Sequence, residues 1–392
     1  MKPRILLIAL IAAVMLSSSI AFAAKMWGGF DSLRTWMGQK DETAVADIAY
    51  QDILDTPAPK SRLPATAVLN GVTLAGKRIV GVGQLGHVVY SDDGGKSWTQ
   101  AVVPVSSDLL AVHFPTPQQG WAVGHDGVVL NSADGGATWN KQFDGRAAAQ
   151  VMESHYMGKN SCSGCHRSPE LPVSGKPGES EPSGMMEEIK RFSTQGPDKP
   201  FLDVWFENET TGYIVGAFSL IFRTNNGGKS WMPLYDRIDN PKRYHLYSIR
   251  PVARELYITA EQGAVFRLDP KTGRFTAIKT PYTGTFFGIT GKAGAVIAYG
   301  MRGNVFRSSD DGASWQKIET GVPAGLVSST VTAEGRIVLV SQGGQVLVSS
   351  DDGSSFSRVP IEQPTPAAAV ATVDTTTIAL VGPRGAKLQS IK

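Results

Sequence analysis

The sequence predicts an all-β fold: a seven-bladed β-propeller with a short helical insertion between the second and third blades. Three observations carry the prediction. A turn motif recurs about every forty residues, apolar runs flanking a Gly-rich turn precede each copy, and one interval between copies is far longer than the rest. Radially repeated four-stranded sheets have this period.

The chain opens with Lys2 and Arg4, an apolar run from Ile5 to Leu16, and Ala21-Phe22-Ala23. This order of charge, apolar run and small-x-small site is that of a secretory signal. The run is short of the ~20 residues a membrane span needs. Cleavage after Ala23 and a periplasmic address are expected, with residues 24–44 as an N-terminal extension. The 392 residues are 42% apolar and 19% charged, which excludes a disordered chain. The net charge of +3 falls to +1 once Lys2 and Arg4 are removed, so the basic footprint of a nucleic-acid binder is missing. Two cysteines exclude a disulfide-stapled mini-protein.

The first propeller segment is expected over 45–143 and the second over 201–392. The turn motif is Ser91-Asp92-Asp93-Gly94-Gly95-Lys96-Ser97-Trp98. It returns at Ser132–Trp139, Thr224–Trp231, Ser308–Trp315 and Ser349–Phe356, with a degenerate copy at Asp269–Phe275. Its aromatic anchors lie 41, 44, 40 and 41 residues apart, but Trp139 and Trp231 are separated by 92. In the pattern S-x-D-x-G-x-[ST]-[WF] the acidic or Asn side chain accepts from turn amides, and Gly supplies a positive φ. The Ser/Thr hydroxyls tie the strand ends and the ring packs back over the hairpin. These aspartates therefore read as turn staples, not catalytic carboxylates. Ahead of them, seven turns begin at Gly83, Gly124, Gly216, Ala260, Gly300, Ser341 and Gly382. Near-continuous apolar runs such as Leu109–Phe114 and Leu202–Phe206 suit strands buried on both faces. The last unit, Ile378 to Ile391, supplies two strands and no staple. The segment Ala46-Asp47-Ile48-Ala49-Tyr50 is therefore expected to lend the seventh blade its outer strand.

These strings resemble the Asp-box (BNR) repeats and, more narrowly, the exported propeller family named for its photosystem II assembly and stability factor. Gly120-Trp121-Ala122-Val123-Gly124 and Asp93-Gly94-Gly95-Lys96-Ser97-Trp98 carry the closer match. The resemblance covers 45–392 apart from the insertion. It implies a binding and assembly scaffold for a membrane protein complex, not an enzyme.

The insertion is expected over 144–200, with short helices at Arg146–Met157 and Gly184–Phe192 around a Pro/Gly/Ser/Glu-rich stretch. It holds both cysteines, in Asn160-Ser161-Cys162-Ser163-Gly164-Cys165-His166. Cys-x-x-Cys-His is the attachment pattern of c-type haem, which is loaded on the exported side of a membrane. On this reading Cys162 and Cys165 take the vinyl groups and His166 is the proximal iron ligand. Met185, Met186, Met157 and His155 are candidates for the distal position. Two alternatives use the same residues: a small disulfide, or half of a metal site lacking its second Cys pair.

The seven Gly-turns open on one face. Their side chains are Gln84-Leu85, His125-Asp126, Ala217-Phe218, Glu261-Gln262, Met301-Arg302, Gln342-Gly343 and Pro383-Arg384. Arg302 and Arg384 sit two blades apart and are the candidate partner-binding residues, since Arg pairs bidentately with carboxylates. A sialidase-like glycosidase needs clustered arginines and a Tyr–Glu nucleophile pair. The turns supply two Arg only, and no Arg-Ile-Pro string stands near the start. His87, His113, His125 and His245 fall on different blades without metal spacing. The expected function is a periplasmic, non-enzymatic assembly or accessory scaffold for a membrane protein complex, carrying haem c. The alternative is a haem c electron-transfer protein.

Overall fold

The computed structural model describes residues 51–157 and 183–392. Seven antiparallel sheets form the ring of a seven-bladed propeller, accompanied among the described residues by two α-helices. Six sheets have four strands in sequential order from the axis outwards, and the seventh has three. The blades span 69–100, 109–143, 201–233, 246–278, 286–318, 326–358 and 369–390. The second strand of each blade is the most buried, as in Gly120–Gly124, where every residue is inaccessible. Such strands are mostly apolar because sheets cover both of their faces, and Arg78, Glu255 and Thr377 stand only at their less buried first positions. The first strand of blade 1 (Leu69–Ala75) packs beside that of blade 7 (Ala369–Thr372), closing the ring.

The staples work by the hydrogen bonds the motif suggested. Asp93 Oδ1 accepts from the amides of Lys96 and Ser97 at 3.0 and 2.9 Å, and Ser97 Oγ donates to its Oδ2 at 2.5 Å. Trp98 Nε1 donates to Gly95 O at 3.2 Å, folding the ring over the turn. In blade 3 Asn226 does the same with its amide, accepting from Ser230 N at 2.9 Å and donating to Ser230 Oγ at 2.8 Å.

The turn between the second and third strands has its own constraint. A Cβ on Gly303 would lie 1.7 Å from Val322 O, on the segment leading to the next blade, so only glycine fits at this positive φ of 71°. Blade 3 breaks the rule with Ser219 at φ 66°. There the departing chain offers Asn240 Nδ2, which donates to Ser219 Oγ at 3.0 Å.

The insertion forms α1 (Gly145–Met157) and α2 (Ser183–Gln195), close to the expected bounds. The two helices pack together and bury Ala148, Met152, Tyr156, Ile189 and Phe192 against Phe143, Phe201, Trp231 and Tyr235. Tyr156 Oη donates to Asp236 Oδ1 at 2.8 Å, and buried Glu188 pairs with Arg243 at 2.5 Å and with Arg191. An N-terminal strap also grips the base of α1. Leu54 is fully buried beside blades 1 and 2, and Asp55 pairs with Lys141 at 2.7 Å and Arg146 at 3.0 Å. Those two cations hold the Asp55 carboxyl well below its usual range.

The expected closing strand, Ala46–Tyr50, lies outside the described residues. Among the described residues blade 7 has three strands, and no helix is long and apolar enough to cross a membrane.

Candidate docking face

In blade 3 the second strand runs back so that Gly216 ends beside Phe201, where the blade was entered. Each second-to-third turn therefore lies on the same face as the connections between blades, and the staples lie on the other. The insertion interrupts one such connection, so α1 and α2 share a face with Arg302 and Arg384. Both arginines are exposed, and among the described residues neither forms an ion pair. Arg302 takes a left-handed turn position, φ 57°, which lifts its side chain off the sheet. Around the two guanidiniums the turns also expose Leu85 (58%) and Met301 (40%), so the face is mixed apolar and basic there. His125 is exposed too, while Asp126 is tied down by Ser107 Oγ at 2.6 Å.

The first strands enclose a channel of about 660 Å³ opening on this face. Four of these strands show a register shift just after their buried first residue in blades 1, 2, 5 and 6, and blade 4 repeats it between Leu246 and Ser248. The bulged residue turns toward the axis, which sets Leu110, Tyr247, Phe287 and Val327 at the mouth. Tyr247 and Phe287 meet edge-on at 5.6 Å. A line of aromatic and cationic groups leads outward from them through His245 and Phe218, whose rings are 4.7 Å apart. It continues to buried Lys199, 5.9 Å from the Phe218 ring and 5.7 Å from Phe192 on α2. Sequence reading missed this mouth. Its one available signal was an aromatic residue directly after the first buried position of an inner strand.

Deeper in the channel Asp203 is 3% exposed, and Arg250 Nη1 donates to its Oδ2 at 2.5 Å. The same oxygen accepts from Ile249 N at 2.8 Å, and Oδ1 accepts from Val204 N at 2.9 Å. Burial pushes the Asp203 carboxyl upward despite the opposing charge of Arg250. Val370 N donates to Ser328 Oγ at 3.1 Å in the equivalent place between blades 6 and 7. The position thus sews one inner strand to the next, and Asp203 serves as a seam residue. His113 Nδ1 accepts from Phe206 N at 3.1 Å, and burial pushes the ring down to about 3, so it is neutral. The four histidines do not all fall on different blades: His113 ends the first strand of blade 2 and His125 stands in its Gly-turn, while His87 Nε2 lies 3.1 Å from Pro64 O and His245 Nδ1 3.2 Å from Glu261 Oε2. Among the described residues no three His, Cys, Asp or Glu come together to hold a metal.

Cys162, Cys165 and His166 lie outside the described residues. Of the distal candidates, Met157 ends α1, Met185 and Met186 belong to the first turn of α2, and His155 is half-buried with its ring edge-on to Tyr156 at 4.7 Å.

The profile of the family described as "Photosynthesis system II assembly factor YCF48" matches residues 94–158 and 192–278. The matched stretches run through the staples and aromatic anchors of blades 1 to 4 and omit most of the insertion. Among solved structures, "YCF48 bound to D1 peptide" is similar at 15% identity and a TM-score of 0.58, covering 86% of this chain and 99% of that one. "YCF48 from Cyanidioschyzon merolae" is similar at 16% identity and a TM-score of 0.56, covering 86% of this chain and 98% of that one. The WD40 propeller domain of Doa1 is similar at 10% identity and a TM-score of 0.55, covering 86% of this chain and 97% of that one. No curated protein matches the chain. The chain is a propeller like those of photosystem II assembly factors, and the identities support the likeness of fold alone.

Proposed function

We propose that this protein is an exported, non-enzymatic scaffold that assists assembly of a membrane protein complex by docking a subunit on its insertion face. The single observation behind this reading is the pair of exposed arginines, Arg302 and Arg384, which form no ion pair among the described residues and share a face with the insertion and the channel mouth. Unpaired guanidiniums favour carboxylates on a partner and steer its approach. The similar propeller "YCF48 bound to D1 peptide" supports a polypeptide partner. Lys2, Arg4, the run Ile5 to Leu16 and the site after Ala23 support export to the periplasm.

The proposal includes one c-type haem, with Cys162 and Cys165 as thioether anchors and His166 as proximal ligand. The donor set fits: two thiols, an imidazole, and thioethers at Met185 and Met186 on a helix that packs against α1. Haem there would supply a one-electron couple, and a Met distal ligand would raise its potential relative to His.

The test is recovery of cross-linked membrane subunits with the tagged protein. Arg302→Glu with Arg384→Glu is expected to lower recovery at least about tenfold, a loss of about 1.4 kcal/mol, whereas Cys162→Ala leaves it intact. The opposite pattern refutes the scaffold and favours an electron carrier. A haemochrome spectrum of periplasmic protein reads the cofactor directly, and colourless protein from a strain that matures cytochromes refutes it.

A further inference from the structure

We propose that the outer edge of blade 7 is a strand-acceptor site, filled by an extended segment of the partner polypeptide. The inference rests on the docking reading above and gives it a mode of recognition. In blade 5 the outer strand Gln316–Ile318 pairs with Val305–Arg307, and Ile318, opposite Val305, is 6% exposed. Matching the ladders, Val305 pairs with Tyr299 as Ala386 pairs with Val381, so Ala386 to Leu388 are the counterparts of Val305 to Arg307. Among the described residues nothing pairs with Gly385–Ser390 on that side. Such an edge presents a row of amides and carbonyls ready for another strand.

The described approach to blade 1, residues 52–66, runs past this edge without pairing with it. Ala65 stands four residues before Leu69, as Val322 stands four before Leu326, and both carbonyls press on a turn glycine, Gly385 and Gly303 respectively. By the same count Ser61 falls where Ile318 does. Instead of pairing with blade 7, Ser61 N donates to Gln100 Oε1 at 2.8 Å, and Gln100 Nε2 donates to Pro59 O at 2.8 Å, both on blade 1. Pro59 has no amide proton to give a ladder. The strap then follows blade 1 towards blade 2, through Ala58 N to Val103 O at 3.1 Å and the buried Leu54.

The edge also specifies its occupant. Ala386 joins Leu69, Val89, Trp98, Ala369 and Val381 in the seam between blades 7 and 1, so the incoming residue opposite it must be apolar. Lys387 and Arg384 are exposed and without ion pairs among the described residues. An antiparallel segment places the residues after its apolar anchor beside Arg384, which favours an acid there. The partner segment is therefore extended, with an apolar residue followed closely by Asp or Glu.

Ser314–Thr320 of this chain, Ser-Trp-Gln-Lys-Ile-Glu-Thr, has that pattern and serves as a synthetic probe. Amide hydrogen exchange is measured on the full chain with and without it. In the protein alone, the outward amides of 386–388 are expected to exchange about 100-fold faster than those of 305–307, as unpaired edge amides do. The probe should slow them, an Ile318→Asp probe should not, and Lys387→Glu should weaken the effect. Slow exchange in the protein alone overturns the proposal. If deleting 24–50 abolishes that protection the chain closes its own ring, and if dilution does so a second copy fills the edge. Failure of the probe also overturns it, without touching the docking reading, which stands or falls on recovery of cross-linked subunits.

Discussion

Replacing either member of the Asp203–Arg250 pair should destabilise the ring, but only the loss of Arg250 should leave a steep dependence on pH. Asp203→Ala strands the Ile249 and Val204 amides and removes the partner of Arg250. Breaking a buried pair costs about 3–5 kcal/mol. The Arg250 side chain is 37% exposed to the channel and can turn to water, which brings the expected loss to about 2–3 kcal/mol, mostly from the two amides. Arg250→Ala leaves the carboxylate buried, with burial already pushing it above its ordinary 3.8 and the opposing charge gone. A carboxyl raised in the folded state stabilises the fold fully below the unfolded value, and this is lost as pH rises through the folded value. The Arg250→Ala protein should therefore weaken as pH rises above the ordinary carboxyl value of 3.8, by up to about 1.4 kcal/mol per pH unit, and the further change Asp203→Asn should flatten the slope. Urea unfolding followed by tryptophan fluorescence from pH 4 to 8 measures this. A pH slope for Arg250→Ala equal to that of the parent would refute the reasoning.

The other predictions concern the insertion and the staples. Ile189 is fully buried between α2 and the blades, so Ile189→Ala should cost about 3 kcal/mol of docking energy. Limited proteolysis should then cut the insertion about 100-fold faster while the propeller's melting is unchanged; a falling propeller melt would instead make the helices part of the core. Ser314 Oγ and the Ser314 amide hold Asp310 down to about 2, and Ser355 does the same for Asp351. A depressed carboxyl stabilises the fold above its ordinary value and loses this as pH falls through the folded one, so the staples should fail between pH 4 and 2. Asn226 already performs this task in blade 3. Asp310→Asn should accordingly keep thermal stability at pH 7 and resist acid better by circular dichroism, whereas Asp310→Ala should melt lower throughout.

The ring was legible because its period is set by local chemistry. Asp93, Asp134, Asp310 and Asp351 bond within four residues of themselves, so their geometry is written in a short string. The shared face of Arg302 and Arg384 was legible too, since strand alternation fixes where each turn opens. Residues acting across blades were not. Asp203 lies in an apolar run and reaches Arg250 across 47 positions, and Tyr247 reaches the channel through a bulge that no residue type announces. The route of 52–61 was hidden for the same reason, because Gln100 and Val103, which capture it, lie about forty residues downstream.

The seam between blades 7 and 1 joins Leu69 and Val89 to Ala369 and Val381, residues almost 300 positions apart. During synthesis, blade 1 must wait for nearly the whole chain before that flank is covered, and loops of such length close slowly. Until then the open crescent shows an apolar wall on each horn. A helper that shields nascent chains in transit would find its natural target at those two walls, and slow-translation or cold-shock conditions that lengthen the wait should raise the fraction lost to aggregation.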